Sequence, residues 1–210
     1  MSDTVTAAEM KALDSYTIEV MGVPSMVLME RAALAAVEVL DGSDFDLAKV
    51  LCVCGTGNNG GDGLAIARLL LLKGIDAEVL LVGDGAKCSV ETKEQMTIAR
   101  NYGVSIYEND LKVFENGHTT MVDALFGIGG NRPIAGKYAD VIERQNNSNA
   151  DILAVDIPSG ISADTGEILG TAIRAKATAT FAFNKVGLTI SSGKEYAGKV
   201  TVKDIGIYRK

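Results

Sequence analysis

Apolar positions along this chain alternate between a helical spacing of three to four residues and short unbroken runs. Residues 6–20 open on Thr6-Ala7-Ala8-Glu9. There the Thr6 hydroxyl can accept the Glu9 amide while the Glu9 carboxylate reaches back, a capping box. The helix so started is predicted to stop at Gly22-Val23-Pro24. In the next segment Leu28, Ala32, Ala35, Ala36 and Val39 share one helical face. The run KVLCVC reads as a buried strand and ends in a glycine-rich stretch at 55–63. Beyond it the pattern predicts a helix ending at Gly74, a strand over 77–83, a helix ended by Gly103 and a short strand at 104–107. A strand and turn over 119–127, a helix over 135–147, a second strand and turn over 151–160, and strands over 177–183 and 198–207 complete it.

Continuous apolar strands separated by helices imply a parallel sheet covered on both faces, hence an α/β fold. No linker, repeat or low-complexity segment divides residues 1–210, which read as a single domain. Residues 1–40 form two leading helices, packed onto the sheet or used for dimerisation. Open sheets of this kind bind ligands at the carboxyl ends of their strands. That rule selects three loops: 55–63, 123–133 and 156–160.

Composition narrows the function. Hydrophobic residues make up 47% of the 210, enough for a sizeable core. No apolar run reaches the roughly 18 residues of a membrane span; the stretch from Leu64 to Leu72 is broken by Arg68 and followed by Lys73. The N-terminus has neither the basic nor the apolar region of a secretory signal, so a cytoplasmic location is expected, a mitochondrial copy being the alternative. A net charge of −7 disfavours nucleic acid and anionic membranes as partners. Of the three cysteines, Cys52 and Cys54 alternate along one strand and point to one face, as buried reduced thiols do. The sole histidine, His118, reads as part of a surface turn, too distant in sequence to complete a metal site with them.

The glycine loop, GTGNNGGDG, matches G-x-G-x-x-G through Gly55, Gly57 and Gly60, between a strand and a helix. The ribose-binding acid of a dinucleotide fold has only Asp84 as a stand-in. Asp62 does not suit a pyrophosphate cradle, because its carboxylate would repel phosphate. It either caps the helix that follows or faces hydroxyls, amides or a cation. The second loop, VDALFGIGGNRP, holds Gly127, Gly129 and Gly130, which let backbone amides approach a ligand. Arg132 can neutralise a phosphate. Asp123 ends its strand as a turn aspartate or a cation ligand. In the third, VDIPSG, Pro158 and Gly160 fix the chain around Asp156, a strand-end carboxylate suited to proton transfer. Ser159 offers a hydroxyl, but no base stands near it in sequence, which argues against a Ser-His-Asp hydrolase.

LMERA at 28–32, GTGNNGGDGLAIAR at 55–68, VDALFGIGGNR at 122–132, VDIPSGISADTG at 155–166, FNKVGL at 183–188 and GKVTVKDIGI at 198–207 together resemble the NAD(P)H-hydrate epimerase family. The resemblance spans nearly the whole chain and matches the stand-alone form, with no dehydratase domain following. It implies a Rossmann-like three-layer α/β/α sandwich with a mainly parallel sheet, and a homodimer. The implied reaction interconverts the R and S hydrates of NADH and NADPH, damage products hydroxylated at nicotinamide carbon 6. An ATP- or ADP-dependent dehydratase consuming one epimer is the functional partner. The family resemblance implies one potassium ion (K+) per subunit, held by Asn59, Asp123 and Ser159, an all-oxygen set suited to a hard cation of low charge. It implies substrate contacts from Asn58, Asn59, Gly60, Gly61, Asp62, Gly127, Ile128, Gly129, Gly130, Asn131, Arg132, Pro133 and Asp156.

Epimerisation at carbon 6 requires the C–O bond to break and re-form on the other ring face. The ring nitrogen can expel the hydroxyl once an acid protonates it, and water then adds with the help of a base. Asp156 is expected to serve both roles in turn, and Asp156→Asn to keep its melting curve because the two side chains are nearly isosteric. Lys185 is a second candidate for charge control, its ordinary role being that of an exposed or salt-bridged lysine. Two rival classes stand beside this reading. One is a non-catalytic scaffold of the same fold; intact Asp156, Asn59 and Asp123 argue against it. The other is an NAD-dependent oxidoreductase, which Asp62 and the absence of a hydride-site histidine or Tyr-x-x-x-Lys disfavour.

Overall fold

The computed structural model describes residues 4–130 and 132–208. In chain order the elements are β1 (Thr4–Val5), α1 (Ala7–Ser15), α2 (Ser25–Asp41), β2 (Lys49–Cys54), α3 (Asn58–Leu72), β3 (Asp76–Leu81), α4 (Val90–Asn101) and β4 (Ser105–Glu108). They continue as β5 (Thr120–Ala124), α5 (Lys137–Asn146), β6 (Asp151–Val155), β7 (Ala177–Phe181), β8 (Asn184–Lys185), α6 (Ser191–Tyr196) and β9 (Lys199–Lys203). Seven strands form one sheet in the order β4-β3-β2-β5-β6-β7-β9, and every pair is parallel.

The unbroken apolar strands at the centre of the sheet explain the layering, since β2, β5 and β7 bury both faces whereas the edge strands β4 and β9 do not. Val50, Cys52 and Cys54 of β2 face a core shared with α2, α3 and α4. Leu51 and Val53 face the opposite core, closed by Val141 and Ile142 of α5. The result is the expected three-layer sandwich, and burial holds the Cys52 and Cys54 thiols well above their usual range. Across the sheet order, the chain leaves β2 toward β3 on one side and resumes at β5 on the other. The ends of β2 and β5 therefore define a switch point where a crevice must open.

The leading helix begins as predicted. Glu9 N–H donates to Thr6 Oγ1 at 3.2 Å and Thr6 N–H donates to Glu9 Oε2 at 2.8 Å. After Ser15 it widens into a π-helical turn, Tyr16–Val20. Within that turn Thr17 Oγ1 donates to Leu13 O at 2.8 Å and accepts Tyr208 N–H at 3.0 Å. Three contacts dock this helix onto the body. β1 pairs with β8, placing Val5 opposite Lys185. Ala7 N–H donates to Asp164 Oδ1 at 2.7 Å, and the Tyr16 and Tyr208 rings stack at 5.8 Å.

Two expectations are corrected here. The helix predicted from 63 starts instead at Asn58, because the Gly60 and Gly61 amides already donate to Gly57 O. His118 is not in a surface turn: it is buried before β5, with Nε2 2.8 Å from Glu78 Oε2. It therefore stands at the amino end of the sheet, opposite Ser159, which follows β6. Among the described residues no helix is long and apolar enough to cross a membrane.

Candidate active site

A cavity of about 890 Å³ opens at the switch point. Asn58, Asn59 and Asp62 of α3 line it, with Gly127, Ile128, Gly129, Gly130, Arg132 and Pro133 of the second loop and Asp156 of the third. Asn131 lies outside the described residues. Gly60 and Gly61 do not line it. A Cβ on Gly60 would stand 1.9 Å from Gly55 O, and one on Gly61 would stand 2.6 Å from Met29 Cε. Gly55 and Gly63 are equally confined, their Cβ positions falling 2.1 Å from Leu125 O and 2.6 Å from Ala124 Cβ. Gly55 and Gly60 thus let α3 press against the strand ends, and their amides are spent on Ala124 O and Gly57 O. Gly57 meets nothing within 4 Å and lines the cavity.

Asp62 does not cap α3. Gly57 is the cap residue, and Asp62 lies more than a turn further along, where its side chain makes no hydrogen bond among the described residues. Its side chain turns into the cavity instead. Burial, then the negative charges of Asp156 and Asp14, push its carboxyl well above the usual range. Asp84 stays outside the cavity and accepts Ala86 N–H at 3.0 Å in an exposed turn.

Asp156 is the most constrained residue of the site. Its backbone sits at φ 68, in the left-handed region, and its N–H donates to Ala179 O at 2.8 Å. A non-glycine residue held there costs on the order of 1–3 kcal/mol, which the surroundings must supply. Lys185 is the main support. It is buried and donates from Nζ to Asp156 Oδ1 at 2.5 Å, to Thr180 Oγ1 at 2.9 Å and to Phe181 O at 2.9 Å. All three ammonium hydrogens are used, so Lys185 is a buried ion-pair partner of Asp156.

Asp123 and Ser159 lie beneath the cavity floor, both fully buried. Ser159 Oγ donates to Asp123 Oδ1 at 2.7 Å, and its N–H donates to Oδ2 at 2.8 Å. Phe126 N–H donates to Ser159 Oγ at 3.0 Å. Among the described residues Asp123 has no cationic side chain beside it, and burial pushes its carboxyl up to about 6 against the Ser159 hydrogen bonds. The Asn59 side chain packs beside Gly127, with its amide nitrogen buried and unpartnered.

Sequence reasoning missed Asp14. Met10, Asp14 and Ile18 form an i, i+4, i+8 stripe of the leading helix along one cavity wall, backed by Leu28 and Met29 of α2. The signal was a carboxylate interrupting an otherwise apolar stripe. Burial, then the charge of Asp156, raise Asp14 to about 6, while Lys185 acts in the opposite sense.

Fold and site define a three-layer α/β protein with a switch-point crevice whose cavity carries carboxylates and a buried lysine. Residues 25–187 match the model of the family described as YjeF-related protein N-terminus, and the chain belongs to that family. It is 50% identical over 208 residues to the NAD(P)H-hydrate epimerase of Weissella koreensis, covering 99% of this chain and 93% of that one. It is 51% identical over 206 residues to the NAD(P)H-hydrate epimerase of Limosilactobacillus reuteri, covering 97% and 96%. The solved structure of yeast ynu0 shares the fold, with a TM-score of 0.81 over 96% of this chain and 87% of that one, at 22% identity.

Proposed function

We propose that this protein is an NAD(P)H-hydrate epimerase that interconverts the R and S forms of hydrated NADH and NADPH. The observation that carries the reading is full-length identity of about half to proteins of that name. The cavity supports it chemically. Its volume suits the nicotinamide half of a dinucleotide, Arg132 stands exposed at its rim for a phosphate, and acid–base groups line its interior.

In the proposed mechanism the ring nitrogen expels the carbon-6 hydroxyl as water, leaving a planar iminium, and water re-adds to either face. Asp156 takes up and returns a proton, and Lys185 fixes its orientation. The residues fit a potassium ion: among the described residues Asp123 is a buried carboxylate with no cationic neighbour, and Ser159 and Phe126 bring oxygens beside it; the Asn59 carboxamide, whose buried nitrogen has no partner to hold it, would turn its oxygen to the ion. Asn59, Asp123 and Ser159 would hold the ion, which would offset the Asp123 charge and fix the floor under the second loop. A second copy would cover the outer side of the leading helices, where Val20, Met21, Val27 and Leu34 are exposed. A dehydratase specific for one epimer would consume the product.

The test incubates each purified epimer with the protein alone and separates R from S by chiral chromatography. Conversion of either epimer to the equilibrium mixture above the spontaneous rate is expected. A rate equal to the spontaneous one refutes the reading.

A further inference from the structure

One carboxylate is poorly placed to serve both ring faces. Asp156 cannot follow a leaving group across the ring: its backbone is held at φ 68, and its Oδ1 accepts from Lys185 at 2.5 Å. A reaction that removes hydroxide from one face and adds it to the other needs a proton carrier on each side. A separate wall of the cavity is built by the leading helix, through Met10, Asp14 and Ile18, and that helix is firmly docked. β1 pairs beside Lys185, Asp164 holds the first helical amide, and the Tyr208 amide holds Thr17. From this wall Asp14 reaches the cavity. Among the described residues its carboxyl has neither a hydrogen bond nor an ion pair, so nothing in the fold needs it.

We propose that Asp14 is a second catalytic proton carrier, acting on the ring face opposite Asp156. The proposal rests on the epimerase reading. In one direction the Asp14 acid gives its proton to the carbon-6 hydroxyl. The C–O bond breaks, its electron pair leaves with water, and the ring nitrogen lone pair closes the iminium. A water on the other face then bonds to carbon 6 and yields a proton to Asp156. The Asp156 proton is then given up to solvent and Asp14 regains one from it, which restores the starting state. In the reverse direction the two exchange roles, so protons and electrons balance over the cycle.

The groups facing Asp14 suit it for this. Asp62 of α3 and Asp156 beyond β6 bring negative charge, and Lys185 of β8 brings the single facing ammonium. Burial and these neighbours place its titration at about 6, in the range where a carboxyl can both give and take a proton. Microscopic reversibility requires any loss at Asp14 to fall equally on R-to-S and S-to-R turnover.

The experiment compares wild type, Asp14→Asn and Asp14→Glu, with each epimer as starting material between pH 5 and 8. Asp14→Asn is expected to lose at least roughly 100-fold in kcat in both directions, with KM nearly unchanged. Asp14→Glu should recover part of it. The fall of wild-type kcat as pH rises past about 6 should be absent in Asp14→Asn. That variant should also melt no lower than wild type at pH 7, because a half-buried carboxyl crowded by like charges has been removed. Turnover of Asp14→Asn within threefold of wild type would overturn the proposal and leave the epimerase reading standing. An equal loss in Asp14→Asn and Asp14→Glu together with a lower melting point would make Asp14 structural and likewise overturn it. A wild type limited to the spontaneous rate would overturn both.

Discussion

The isosteric argument predicts that Asp156→Asn melts like wild type, and the buried lysine reverses that expectation. Lys185 is 1% exposed, and its side chain meets Asp156 at 2.5 Å. Asparagine keeps an oxygen near the same point, so the three hydrogen bonds survive in outline, but the counter-charge is gone. Leaving one member of a buried pair uncompensated typically costs about 3–5 kcal/mol. The Asp156 side chain is 15% exposed toward the cavity, where water can partly screen the ammonium, so the lower end applies, about 3 kcal/mol. For a chain of this size each kcal/mol lowers Tm by about 2–4 °C, giving a drop of roughly 6–12 °C. Lys185→Met should cost less, because the Asp156 carboxylate it strands can turn to cavity water. The double variant should be more stable than the sum of the single losses by about 0.5–3 kcal/mol. Urea denaturation at pH 7, followed by circular dichroism on all four proteins, measures this. An Asp156→Asn protein within about 1 kcal/mol of wild type, well short of the cost of a stranded buried charge, would refute the reasoning. So would strict additivity of the two losses.

Gly60→Ala places a Cβ 1.9 Å from Gly55 O and should lower stability by at least about 1–3 kcal/mol in thermal melts, the usual cost of overpacking. Gly57→Ala meets nothing within 4 Å and should melt close to wild type. Arg132→Ala should raise KM for hydrated NADPH about tenfold or more with kcat little changed, as expected for a lost charge-assisted contact of about 1.5–3 kcal/mol; an unchanged KM removes Arg132 from the phosphate site. Exchanging potassium for tetramethylammonium should lower Tm through mass action, and Asp123→Asn should abolish the difference. A potassium effect undiminished in that variant would place the ion elsewhere.

The sheet was legible because its central strands bury both faces, so unbroken runs such as KVLCVC carry no competing pattern. The helices were legible through caps and glycine stops, Thr6 with Glu9 and Gly74 and Gly103 among them. Legibility failed where tertiary packing decided the outcome. NNGGDG reads as loop by composition, yet it folds as the first turns of α3, where only glycine fits at position 60 because an added Cβ would stand 1.9 Å from Gly55 O. His118 looked exposed because it follows Asn116 and Gly117; its burial depends on Glu78, forty positions away in the chain. Asp14 and Lys185 lie outside the three loops that strand ends select, since one comes from a docked helix and the other from a two-residue strand. Among the loop residues, the sequence brought ten of the expected substrate contacts to one cavity: Asn58, Asn59, Asp62, Gly127, Ile128, Gly129, Gly130, Arg132, Pro133 and Asp156.

The distribution of charge in the cavity argues for chemistry rather than storage. A site that merely bound a dinucleotide would gain from cations and free amides around its phosphates. Here the amides of Gly60 and Gly61 are spent inside α3, and Asp62, Asp14 and Asp156 face the interior. Burial raises Asp62 and Asp14 toward protonation, whereas Lys185 faces Asp156 directly. Two carboxyls raised by burial thus share one cavity with a third that is held by a buried lysine, surroundings that suit separate acid and base groups in one site. It carries a stability cost, since like carboxyls crowd one another and an ammonium is buried to hold one of them. The groups that bear this cost surround the place where a carbon–oxygen bond would break and re-form.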